Sequence, residues 1–151
     1  MDNEFKQYII VRKDLNMSPQ KMSAMVAHGA MAFLTSDIRS NAKLNKNNDK
    51  IYISELTLDK DLFDNWFNGA FTKVVLEAKN KYQLLKAKTM AEEIGMVEGK
   101  DFFLIKDKCL TELTPEEIDE NGIWRTLTCI GFRPFPIETM KPISKKYQLY
   151  K

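Results

Sequence analysis

Gln7–Leu34, QYIIVRKDLNMSPQKMSAMVAHGAMAFL, decides the architecture. Its first six residues, Gln7 to Arg12, form an apolar, β-branched run of strand length that ends at a polar step, the pattern of a buried strand. After a short polar connection, Ser18 is a good helix N-cap. Pro19 suits the first helical position, where its missing N–H costs nothing. From Met22 to Leu34 almost every residue is apolar or small, so this helix is expected to be covered on most sides by a sheet and by other helices or a second subunit. His28 is its one conspicuous polar side chain.

Outward from that stretch the chain keeps alternating. Thr35 to Lys50 is polar and rich in Asn and Lys, which reads as a fraying helix end and a mobile loop. Ile51 to Ser54 has the length of a short edge strand. Leu62, Phe63, Trp66 and Phe67 share one face of a helix over Asp59 to Asn68, stopped by Gly69. Lys73 to Ala78 reads as a strand, Lys81 to Ile94 as an amphipathic helix closed by Gly95, and Asp101 to Lys106 as a further strand. That order suggests a right-handed parallel crossover. An acidic insertion follows at residues 116 to 125, then a strand over Thr126 to Phe132. Pro134, Pro136 and Pro142 lead through a loop and a short helix to a closing segment at Tyr147 to Tyr150. The fold class is therefore α/β, a small mixed four-stranded sheet sandwiched between helices, in a single domain over residues 1–151.

Composition narrows the function classes. With 151 residues, 44% apolar and 29% charged, the chain is long enough to bury its own core without disulfides or a structural metal. Its apolar runs are too short for a membrane span, and its first residues have neither the basic start nor the apolar stretch of a secretory signal, so a cytoplasmic protein is expected. Cys109 and Cys129 are isolated and His28 is the sole histidine, which excludes a Cys/His zinc site and a C-x-x-C redox motif. The net charge of +2 announces no nucleic-acid partner by itself. Lysines nevertheless cluster at Lys43, Lys46 and Lys50 and again at Lys141, Lys145, Lys146 and Lys151, where either group could meet phosphates or simply be solvated.

Several residues could carry chemistry. Lys21 falls in the first turn of the long helix, where free N–H groups and the helix dipole already favour an anion. It could hold a phosphate or a developing oxyanion with the helix start, or reach into water. His28, seven residues on, lies on nearly the same face and reads first as a satisfied core residue. Asp107 stands at the end of a strand, where ligands gather in open α/β sheets, and could also cap a turn. Thr111 and Thr126 bring hydroxyls able to position a water or a carbonyl.

Together these residues match a known pattern. Tyr8 to Ala30 resembles the opening signature of the archaeal-type (type 2) peptidyl-tRNA hydrolases, with Arg12, Asp14, Leu15, Met17, Lys21 and His28 in place. Lys73-Val-Val-Leu76 resembles that family's second strand. Ile105-Lys-Asp107 with Thr111 and Pro115 resembles its Asp-Ala-Gly-Arg-Thr segment, and Thr126 to Gly131 and Tyr147 to Tyr150 resemble its last strand and its terminus. The resemblance implies hydrolysis of the ester between a peptide, or an N-blocked aminoacyl group, and tRNA, by a homodimer that needs neither metal nor cofactor. Lys21, Asp107, Thr111 and Thr126 would be its catalytic residues. His28, behind the site, with Arg12 and Asp14, would be supporting. Met25 stands where the family has glutamine, Gln20 where it has glycine, and Lys108-Cys109-Leu110 where it has Ala-Gly-Arg. A noncatalytic tRNA-, nucleotide- or protein-binding module on the same fold is the alternative.

Overall fold

The computed structural model describes residues 4–151. In chain order its elements are β1 (Phe5–Arg12), α1 (Pro19–Asn41), β2 (Lys43–Asn45), β3 (Asn48–Ile53), α2 (Lys60–Leu62), β4 (Lys73–Ala78), α3 (Lys81–Glu93), β5 (Phe102–Asp107), β6 (Glu117–Ile118), β7 (Trp124–Phe132), β8 (Phe135–Pro136), α4 (Ile137–Ser144) and β9 (Gln148–Leu149). Among these residues no helix is long and apolar enough to cross a membrane.

β1 organises the main sheet, whose order is β5-β7-β1-β4-β9. It runs parallel to β4, with Gln7 opposite Lys73 and Arg12 opposite Ala78, and antiparallel to β7, with Ile9 opposite Gly131. The four expected strands are all present, but the sheet is larger than expected. Short β6 and β8 join β7 and β1, and β9 covers the edge of β4, bringing the sheet to seven strands. β4 and β5 point the same way as expected, yet β7 and β1 lie between them.

Side chains alternate across β1 because successive strand residues face opposite sides. Ile9 and Val11 join Met17, Met25 and Cys129 in the core layer under α1, while Tyr8 and Ile10 join Leu84, Ala87, Met140 and Ile143 under α3 and α4. A third cluster of Phe5, Phe33, Leu62 and Trp66 closes one end. Gln7, fully buried in β1, donates from its amide to Ala30 O on α1 at 2.7 Å and to Phe132 O on β7 at 3.0 Å, so it ties helix to sheet. Against the strand below, α1 packs tightly where Gly29 meets Gly131. A Cβ on Gly131 would stand 2.1 Å from the Gly29 carbonyl oxygen.

Local expectations changed where tertiary contacts intervene. α1 does not fray at Thr35 but continues to Asn41, and the loop expected next joins the strand expected over Ile51 to Ser54 in a β2–β3 hairpin. The helix expected over Asp59 to Asn68 is one α-turn followed by a π-turn over Phe63–Phe67, and this widened turn carries Trp66 into the core. The Trp66 indole donates to Thr72 O at 2.9 Å, an anchor that no helical periodicity reveals. β7 starts at Trp124 rather than Thr126 because β6, from the acidic insertion, pairs with its first residues.

Candidate active site

The head of α1 and the end of β5 meet over a cleft of about 920 Å³. Ser18 caps α1 as expected, its hydroxyl accepting the Lys21 N–H at 3.2 Å. Lys21 then projects across to β5, where its ammonium bonds Asp107 Oδ1 at 2.9 Å and Thr111 Oγ at 3.3 Å. Both members of the pair are only 13% exposed, so water screens them little, and the cation at a helix start has the carboxylate it needs.

Asp107 is held from its other side as well. Its Oδ2 accepts the Cys109 N–H at 2.8 Å. To point that N–H inward, Cys109 adopts φ +61°, the left-handed region that favours glycine. A side chain there costs about 1–2 kcal/mol, partly offset by the extra chain entropy glycine would lose, about 0.5–1 kcal/mol. Cys109→Gly is therefore expected to raise stability by about 0.5–1 kcal/mol, measured by urea denaturation; a loss would show that the thiol packing matters more than the strain. The other cysteine is a packing residue, since burial pushes the Cys129 thiol up to about 12.

Glu112 locks the loop after Asp107 onto the helix cap. Its carboxylate accepts from the Ser18 hydroxyl at 2.6 Å and from the Ser18 N–H at 2.8 Å, bonds that hold its pKa below the usual carboxylate range. Further along, Lys106 at 2.9 Å holds Glu117 low, and Arg125 at 2.6 Å holds Asp119 low. Carboxylates depressed in the folded state stabilise it fully above their unfolded values near about 4, and that stabilisation is lost as pH falls through the lower folded values. Acidification below about 4 is expected to open residues 112–123 before β1 and β7, read by amide hydrogen exchange. Simultaneous opening of all three segments would contradict it.

Arg12 and Asp14 act at one remove from the cleft. The guanidinium, 3% exposed at the end of β1, bonds Asp14 through Nε at 3.1 Å and Nη2 at 2.7 Å, and bonds Glu116 through Nη1 at 2.6 Å. Burial alone would lower its pKa, but the bonds to Asp14 and Glu116 outweigh that and raise it. The pairing pins the start of the acidic insertion to β1.

Two expected residues are placed differently from the expectation. His28, expected as a core residue supporting the helix behind the site, is exposed and lines the cleft itself. Thr126 is opposite Asp107 in the β5–β7 pairing, but it is fully buried and its hydroxyl donates to Thr114 O at 2.6 Å. It anchors the loop that carries Thr111 and does not reach the cleft. Met25, in the family's glutamine position, is 3% exposed and contributes apolar floor. Glu112, the Cys109 N–H and the cleft-lining Arg39 escaped the sequence reading. Ser18 was legible as a cap, but nothing near it in the chain points to a partner ninety-four residues away.

Lys21, Asp107 and Thr111 thus converge on one cleft in which the ion pair is largely shielded from solvent, an arrangement able to orient a water and to stabilise negative charge beside it. The chain is 29% identical to a peptidyl-tRNA hydrolase of Thermoplasma acidophilum over 95% of its own length and 97% of the relative's. It is 30% identical to peptidyl-tRNA hydrolases of Thermococcus onnurineus, over 96% and 97%, and of Thermococcus sibiricus, over 97% and 98%. The family model described as "Peptidyl-tRNA hydrolase PTH2" matches residues 5–150, and the chain belongs to that family.

Proposed function

We propose that this protein hydrolyses the ester joining a peptide, or an N-blocked aminoacyl group, to the 3′-terminal ribose of tRNA. The observation that carries the reading is the Lys21–Asp107 pair, 2.9 Å long and opening on the cleft, in a chain of this family. In the proposed reaction Asp107 orients a water whose oxygen attacks the ester carbonyl carbon. Charge on the carbonyl oxygen is stabilised by the Lys21 ammonium. When the carbon–oxygen bond to the ribose breaks, the proton taken from the water passes through Asp107 to the leaving 3′ oxygen, and a free carboxylic acid and a tRNA hydroxyl result. Thr111 holds Lys21 in register, and Thr126 holds the loop of Thr111. Met25 supplies an apolar wall in place of an amide, so it can exclude water but cannot bond the substrate.

The assay is release of N-acetylaminoacyl groups from tRNA by the purified protein beside Lys21→Ala and Asp107→Asn. Turnover in the parent and its loss in both variants supports the reading. An inactive parent that still binds tRNA would favour a noncatalytic module.

A homodimer belongs to the same reading. Met22, Val26 and Ala30 on α1 and Val75 on β4 line an open, largely apolar surface. Such a surface gains from a second copy through the area removed from water. The parent is expected to sediment as a dimer at micromolar concentration and Val26→Asp as a monomer. A monomeric parent would refute the assembly and leave the chemistry standing.

A further inference from the structure

The cleft does not end at Lys21 and Asp107. It follows α1 past His28 to Thr35 and Arg39. Arg39 lies eighteen residues beyond Lys21, about 27 Å along a helix that rises about 1.5 Å per residue. At that far end the chain turns into the β2–β3 hairpin.

Every strand residue of the hairpin except Asn45 is exposed, so its side chains do not serve the core. An isolated two-stranded hairpin is marginal in water, yet the base of this one is clamped. The Asn41 amide donates to Glu55 O at 2.8 Å, and Asn41 Oδ1 accepts the Glu55 N–H at 2.8 Å. Ser54 Oγ lies 2.9 Å from Ile38 O and 2.8 Å from Asn41 Oδ1. The last turn of α1 therefore fixes where the hairpin points.

Its charge is one-sided. Lys43, Lys46 and Lys50 stand against Asp49 alone, a net +2 that equals the formal charge of the whole chain, so the rest of the sequence balances to zero. Among the described residues none of the three lysines forms an ion pair. Tyr52, 70% exposed, shares a strand face with Lys50 and sits opposite Leu44. A rigidly based arm with unpaired ammonium groups and an open aromatic ring suits a phosphate backbone.

We propose that the β2–β3 hairpin is a second RNA-binding element, which grips the paired stem of the same tRNA whose 3′ end lies at Lys21 and Asp107. The identity of the RNA rests on the hydrolase reading; the phosphate chemistry rests on the hairpin itself. The hairpin begins beyond Arg39, itself about 27 Å along α1 from Lys21, so a tRNA whose short unpaired 3′ end enters the cleft presents its stem backbone there. Lysines there contribute affinity and register without reading sequence.

The test compares the parent with Lys43→Ala/Lys46→Ala/Lys50→Ala on two ligands. For deacylated tRNA, titrated over a salt series, the variant is expected to bind about tenfold or more weakly near 0.1 M salt, with a log–log salt slope shallower by about 2. An N-acetylaminoacyl ester on a CCA trinucleotide, too short to reach the hairpin, is expected to be hydrolysed at the parent's rate. Unchanged tRNA affinity and slope would overturn the proposal, as would equal losses on both ligands, since the hairpin would then act through the fold of the site. If the parent hydrolyses neither ester yet the variant still loses tRNA affinity, the hydrolase reading fails and the hairpin assignment stands. A halved mass for Ile51→Ser/Ile53→Ser with tRNA affinity intact would instead make the hairpin a contact between copies of the chain and overturn its assignment to RNA.

Discussion

Asp107→Asn is expected to lower kcat/KM on N-acetylaminoacyl-tRNA by about a hundred- to ten-thousand-fold, the range of a positioned general base, with most of the loss in kcat. The geometry explains why the change is not conservative. Asp107 uses both oxygens, one toward the Lys21 ammonium and one toward the Cys109 N–H. An asparagine can keep its carbonyl on only one of those donors, and its NH2 then confronts the other. Lys21→Ala is expected to cost about a hundred- to a thousandfold, as loss of an oxyanion donor does. Because the two side chains bond each other, their effects should not add: the double variant should fall little below the worse single one. Fully additive losses in the logarithm of kcat/KM would show independent roles and sink the paired mechanism. Each substitution also leaves a partner that is only 13% exposed without its counter-charge, so far-UV spectra and denaturation midpoints must accompany the rates.

Gly131→Ala is expected to destabilise the protein by about 3 kcal/mol or more, at or beyond the upper end of ordinary overpacking. The added methyl would lie 2.1 Å from Gly29 O and 2.6 Å from Gly29 Cα, which are backbone atoms that cannot rotate away. Relief requires α1 to lift from β7. Since α1 carries Lys21 and the sheet carries Asp107, that movement should open the pair and lower turnover even under conditions where the variant is folded. Gly29→Ala is the internal control. Its Cβ would meet the Ile9 Cγ2 methyl at 3.1 Å and Gly131 Cα only at 3.5 Å, a contact that needs a shift of a few tenths of an ångström, and a helical alanine gains about 1 kcal/mol over glycine, so the net change should be much smaller than for Gly131→Ala. Urea denaturation of the two variants decides the matter. A Gly131→Ala loss below about 1 kcal/mol would mean that the helix–sheet spacing is softer than this contact implies.

How much of this was legible in the sequence depends on how local the cause is. β1 and the start of α1 could be read because a β-branched run and a Ser-Pro cap act within a few residues. α3 could be read for the same reason, with Asn80 accepting the Gln83 N–H and Gly95 at φ +90° ending it. The hairpin was legible only in part. Ile51 to Ser54 has strand length and falls largely in β3, but both faces of the hairpin are exposed, so no apolar alternation marks its other strand, and its asparagines and lysines look like any solvated loop. His28 was misjudged for a related reason. An apolar run around a helix suggests cover on all sides, but the sheet covers only one.

For the site, the sequence by itself determined the pieces: a lysine in the first turn of a capped helix, an aspartate at the end of a strand, and through family resemblance the expectation that they work together. Tertiary structure alone decided the assembly. It paired Lys21 with Asp107 across eighty-six residues, drew the Glu112 clasp over Ser18, turned the Thr126 hydroxyl onto Thr114 and set Cys109 in a left-handed turn. The physical reason is that capping and periodicity are short-range and written in neighbouring residues, whereas an ion pair or a hydroxyl's choice of acceptor depends on which surfaces the sheet order and the Gly29–Gly131 contact bring within about 3 Å.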